Sequence, residues 1–167
     1  MKLRAIYESI KLAKVKSEAF RVLYEDATNF IYDHLLLSTN ITIDFKKSTR
    51  STTFGHFDFK NKIVIEDSTP NLVIGNIAHE LTHVKQYEDR DLIVDGQYII
   101  WKRSEKFLLR DYSTNKKYDV HVKWPWEAEA YKNQKILPNL YYNSAQFVKT
   151  MNSDPTLKYM TDNGLFP

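Results

Sequence analysis

Between Asn71 and Glu88 the apolar residues Ile74, Ile77, Ala78, Leu81 and Val84 fall three and four positions apart, which predicts a helix with one apolar stripe. His79, His83, Gln86, Tyr87 and Arg90 make a second stripe. A longer helix is predicted from about Ser17 to Leu37, with Phe20, Leu23, Ala27, Phe30, Ile31, His34 and Leu35 on one face. On that face His34 reads as a packed core histidine. Leu3, Ile6, Ile10 and Ala13 also have helical spacing and suggest a short N-terminal helix or arm within residues 1–16.

The period then changes to two. Ile41, Ile43 and Phe45 alternate with polar neighbours, the mark of a half-buried strand. Thr52–Phe59 and Lys62–Glu66 read as two further strands joined at Lys60 and Asn61, and Asp67–Pro70 is a turn that supplies helix caps. Asp95-Gly96 breaks the chain before a second hairpin, Gln97–Trp101 and Lys106–Leu109, turning at Arg103–Glu105. Residues 111–123 read as a polar loop with a short strand. Pro125 suits the first turn of another helix, which Pro138 is expected to end. Asn143–Met151 predicts a last helix, and residues 152–167 an irregular tail. Helices and strands in this arrangement predict one α+β domain over residues 1–167.

Composition narrows the chemistry. Of 167 residues none is cysteine, so disulfides, thiolate metal sites and cysteine nucleophiles are excluded. The net charge of +3 is small and the lysines are interleaved with acidic residues, which favours a solvated surface over a nucleic-acid groove. No apolar run is long enough to span a membrane, and Met1–Lys16 lacks the apolar core of a signal peptide, so the expected location is cytoplasmic, or a virion.

Against this background His79-Glu80-Leu81-Thr82-His83 stands out as H-E-x-x-H. Residues four apart on a helix lie nearly above one another, so both imidazoles can meet one metal ion. Glu80, one step round, is placed to act as general base rather than as a ligand. Without cysteine, any metal must be held by histidine and carboxylate, and zinc is the expected ion. Catalytic zinc takes three protein ligands. The remaining histidines are His34, His56 and His121, and the best carboxylate candidates are Glu127 and Glu129.

The motif helix, followed by Trp124-Pro125-Trp126-Glu127-Ala128-Glu129-Ala130-Tyr131, resembles the compact gluzincin-type metallopeptidases, many small members of which are encoded by phages and bacteria. The resemblance spans roughly residues 52–135. It implies a zincin-like fold: a small antiparallel or mixed sheet packed against the motif helix and a second, ligand-bearing helix. It implies zinc on His79, His83 and Glu127, with Glu129 as the alternative ligand, and peptide hydrolysis with Glu80 as base. The substrate would be a peptide or protein, with a virion or host-protein partner also in view. Larger gluzincins carry an aspartate four residues after the ligand glutamate, hydrogen-bonded to a zinc histidine; Tyr131 stands there instead, which leaves that partner unassigned.

An oxyanion formed during hydrolysis needs a donor besides the metal. His121, Tyr118, Tyr131 and Arg103 are candidates, and His121, a short way before Glu127, is preferred. The resemblance also expects Lys62–Glu66 to be an edge strand that pairs with an extended substrate. Ala130 is expected to let the two helices approach closely.

Overall fold

The structure, a computed structural model, describes residues 10–47, 55–57, 61–114 and 121–166. It is a mixed α/β molecule with two small sheets. The first sheet has four strands in the order β1-β2-β4-β3, where β1 is Ile10–Ala13, β2 Ile41–Lys47, β3 Gly55–Phe57 and β4 Lys62–Asp67. β2 runs parallel to both β1 and β4, while β3 is antiparallel to β4. β1 therefore replaces the helix expected around Ile10 and Ala13. Four residues cannot distinguish a period of two from 3.6, and only pairing with β2 decides it. β4 lies between β2 and β3, so Lys62–Glu66 is not an edge strand.

Alternation along β4 turns Ile63 and Ile65 into the core and Lys62 and Val64 outward. β2 does the same with Ile41, Ile43 and Phe45, but Asp44 is buried as well. Its carboxylate accepts from Lys14, just after β1, at 3.2 Å and pairs with Lys62 of β4 at 3.0 Å.

Helix α1, Glu18–His34, covers the sheet with Leu23, Tyr24, Ala27 and Ile31. Its buried face is rotated from the expected one, since Tyr24, Thr28 and Tyr32 are buried and His34 is exposed. His34 is thus not a core histidine; it lies stacked beside Phe30 on the surface. Beyond the cap, Leu36 takes a left-handed φ of 54°. Its N–H bonds Asp33 O, and that of Leu37 bonds Tyr32 O, a Schellman ending without the usual glycine.

Helix α2, Pro70–Glu88, is the centre of the molecule. Every residue from Val73 to Val84 is buried. Val73, Ile74, Ile77, Ala78, Leu81 and Val84 enter the main core with the sheet and α1. Thr69 caps it in extended geometry without a side-chain bond, so Pro70 at the first position is the start signal that acts. The helix ends in the same motif as α1, with Arg90 at φ 58°.

A three-stranded meander follows: β5 Leu92–Asp95, β6 Tyr98–Trp101 and β7 Glu105–Leu108. It contains the predicted hairpin plus one strand not foreseen. Leu92, Ile99 and Trp101 form a second apolar cluster with Trp126, flanked by Phe107, Leu109, Tyr112 and Trp124. Leu109–Thr114 is a helix, α3, where a loop with a strand was expected.

Helix α4, Pro125–Tyr142, starts at the expected proline but runs through Pro138 instead of ending there. Pro138 and its neighbours Leu137 and Tyr141 are buried against the core, and that packing outweighs the one lost backbone bond. Two short helices close the described chain: α5, Ala145–Ser153, and α6, Pro155–Asp162. The irregular tail expected from residue 152 is therefore largely helical; Asp154 caps α6 by accepting from Thr156 N and Leu157 N. Among the described residues no helix is long and apolar enough to cross a membrane.

Candidate metal centre

The face of α2 turned towards α4 carries Asn76, His79, Glu80, Thr82, His83 and Gln86, all buried. Burying so many polar groups is costly unless each finds a partner, and α4 supplies most of them. Gln134 Nε2 lies 3.4 Å from Asn76 Oδ1, Asn133 Nδ2 donates to Thr82 Oγ1 at 3.3 Å, and Gln86 Nε2 donates to the Trp126 carbonyl at 2.9 Å. The two helices run antiparallel along this polar seam. Ala130, expected to let the helices approach closely, is fully buried, and at Gly75 a Cβ would stand 3.5 Å from Gln134 Cγ, an ordinary contact.

At the seam's centre His79, His83 and Glu127 form a group that could hold a metal ion, their ligand atoms all within 4.8 Å of one another. His79 Nε2 and His83 Nε2 are 3.1 Å apart. His79 Nε2 is 3.3 Å from Glu127 Oε2, and His83 Nε2 is 3.6 Å from Glu127 Oε1. Glu127 is 1 % exposed, which without opposite charge beside it would be prohibitive for a carboxylate.

The two carboxylate oxygens differ. Oε1 accepts from the Tyr112 hydroxyl at 2.7 Å and lies 3.1 Å from His121 Nε2. Oε2 has no hydrogen-bond partner among the described residues and lies 3.3 Å from His79 Nε2. Oε1 is thus held by Tyr112 and His121, with His83 Nε2 3.6 Å away, while Oε2 is turned to His79.

Burial alone would raise the Glu127 pKa, yet the imidazoles of His121, His79 and His83 around it hold it well below the usual carboxylate range. Burial would likewise lower that of His83, but the Glu127 hydrogen bond and charge, with Glu80 behind, push it up to about 9. An arriving cation would have to displace that proton. Burial and then the Glu127 charge push the Tyr112 hydroxyl far above its ordinary value, so it remains a donor. Glu80 is 5 % exposed and directly follows His79 on α2, and its charge adds to the upward shifts of His83 and Tyr112.

Of the other residues expected here, Glu129 does not join the cluster; its Oε2 accepts from Gln86 instead, at 2.8 Å. Tyr131 packs edge-on against the His79 ring at 4.7 Å. Arg103 lies exposed in the β6–β7 turn. Tyr118 and the His56 side chain lie outside the described residues. Two partners escaped the sequence reading. Gln86 could have been found, because it shares the histidine stripe three residues after His83. Tyr112 carries no local signal; only the folded meander and α3 bring it to Glu127, stacked on His121 at 5.1 Å. A surface cavity of about 460 Å³ lined by Gln97, Leu108, Leu109, Arg110 and Ser113 includes none of these residues.

No protein-family model, curated protein or solved structure matches this chain.

Proposed function

We propose that this chain is a zinc-dependent peptidase of zincin-like, gluzincin-type architecture, with the metal on His79, His83 and Glu127. The observation that carries this reading is the spacing of the donor atoms. Zinc bonds nitrogen and oxygen at about 2.0–2.1 Å, which puts tetrahedral neighbours about 3.3–3.4 Å apart. The imidazole nitrogens, 3.1 Å apart, and His79 Nε2 with Glu127 Oε2, 3.3 Å apart, lie near that value, while His83 Nε2 is 3.6 Å from the other carboxylate oxygen, Oε1. The carboxylate oxygen without a hydrogen bond fits the same set.

When bound, zinc would act as a Lewis acid on a peptide carbonyl and bring a water within reach of deprotonation at neutral pH. Glu80 would act as the base that accepts a proton from the attacking water, whose oxygen bonds the carbonyl carbon as the C–N bond breaks, and would pass that proton to the leaving amine. His121 Nε2 and the Tyr112 hydroxyl are both directed at Glu127 Oε1, so they support the carboxylate and not the carbonyl oxygen of a substrate. Tyr112 and His121 also keep Glu127 turned so that one oxygen remains for the ion.

Elemental analysis of the purified protein tests the reading together with a broad peptide library. One zinc per chain, lost in Glu127→Ala and kept in Glu129→Ala, is expected. Glu80→Gln should retain zinc and abolish cleavage; cleavage that survives it rejects Glu80 as base. One observation favours a second reading, a silent protein in which the metal only ties the helices together. His79, His83 and Glu127 are all buried, whereas catalytic zinc keeps a position open. Zinc bound with no cleavage in the wild type, and unchanged stability in Glu80→Gln, would support that alternative.

A further inference from the structure

Gln86 is 3 % exposed and spends its whole side-chain amide on three partners. Nε2 donates to the Trp126 carbonyl at 2.9 Å and to Glu129 Oε2 at 2.8 Å, and Oε1 lies 2.8 Å from His83 Nδ1. A backbone carbonyl can only accept, and so can an ionised carboxylate. The amide therefore cannot be flipped: turning it round would set its oxygen against two acceptors. Oε1 must face His83, and an acceptor at 2.8 Å requires a hydrogen on Nδ1. That leaves Nε2 as the nitrogen turned to His79 and Glu127. His79 has no such device, since its buried Nδ1 has no hydrogen-bond partner among the described residues and its ring rests against Tyr131.

Resting on the zinc reading above, we propose that Gln86 and Glu129 are positioning residues: Glu129 orients the Gln86 amide, which fixes His83 with Nδ1–H turned away and Nε2 presented to the metal. The relay serves His83, whereas Tyr131 stands against the His79 ring. It also gives the two glutamates of α4 different tasks, Glu127 holding the ion and Glu129 aligning what holds it. Because the link to His83 is an amide, it orients the ring without adding negative charge next to the metal. Lys102 Nζ, 3.9 Å from Glu129 Oε1 and half exposed, is a marginal outer contact.

Two measurements test the relay. Nitrogen-15 NMR of the metal-free protein should show a His83 Nδ1–H shielded from solvent exchange, present whether the ring is neutral or charged, and Gln86→Met should remove that protection. Zinc affinity by chelator competition should fall about 10–100-fold in Gln86→Met. It should fall similarly in Gln86→Glu, which sets two carboxylates against each other. Adding Glu129→Gln to Gln86→Glu restores a donor between the two positions, so most of the lost affinity should return. An unprotected Nδ1–H in the wild type, or a double variant no better than Gln86→Glu, overturns the relay. If no form of the protein takes zinc, the metal reading falls, and the NMR arm decides on its own whether Gln86 locks His83.

Discussion

Gly75 offers a direct check on how closely α2 and α4 pack, and hence on what brings Glu127 up to the histidines. It lies inside α2, where glycine is worse than alanine by about 0.8–1.0 kcal/mol. Whether alanine recovers that energy depends on the space above it. A Cβ built there would meet Gln134 Cγ at 3.5 Å, Gln134 Nε2 at 3.7 Å and the Gln134 carbonyl oxygen at 3.7 Å, all ordinary van der Waals contacts. No neighbour has to move, so the propensity term should win. Gly75→Ala is expected to stabilise the protein by about 1 kcal/mol, or about 2–4 °C in Tm for a chain of this size. Differential scanning calorimetry reads the shift, and zinc content should be unchanged. Gly75→Leu, which must push carbons beyond that shell into Gln134, should instead cost about 1–3 kcal/mol. Pro138 has no N–H to give the Gln134 carbonyl, and this is the carbonyl that faces Gly75. A destabilised Gly75→Ala would refute the reasoning and mean that this carbonyl depends on the open space.

Three further outcomes are expected. Leu36, 80 % exposed at φ 54°, gains nothing from its side chain, and Leu36→Gly should raise stability in urea unfolding by about 0.5–1 kcal/mol. Asp44 has its pKa lowered by the hydrogen bond from Lys62, then by Lys14, so its contribution is complete at neutral pH and is lost as pH falls through the depressed value. Wild type should therefore melt above Asp44→Asn at pH 7, with the gap closing below about pH 4; a gap that is constant with pH would argue against the ion pairs. Removing zinc with a chelator should lower Tm, since an ion at 100 times its Kd contributes about 2.7 kcal/mol, and Glu127→Ala should not respond to the chelator at all.

Where local chemistry decides structure, the chain was readable. Ile63 and Ile65 alternate because β4 has one buried face, and Pro125 starts α4 because a first-turn residue needs no N–H. The histidine pair was readable for the same reason, since a single helical turn sets its geometry. Misreadings arose where distant packing decides. Ile10–Ala13 became a strand only by pairing with β2, and Pro138 stayed helical because its side of α4 is buried. His34 had the spacing of a core residue, but α1 is rotated so that Tyr24, Thr28 and Tyr32 take the interior. At the candidate site the division is similar. His79, Glu80, His83 and Glu127 were named from spacing and resemblance, while Tyr112 and the task of Glu129 depend on where side chains point across elements.

α4 belongs to both apolar clusters, through Trp126 to the smaller and through Leu137 and Tyr141 to the larger. Glu127 sits next to Trp126, whereas both histidines are seated on a helix of the larger cluster. Partial melting of the meander would therefore pull the carboxylate off while the imidazoles stay in place. Loading and release of an ion would then follow a local opening of the small cluster, with amide exchange in β5–β7 reporting it before the rest of the molecule loosens.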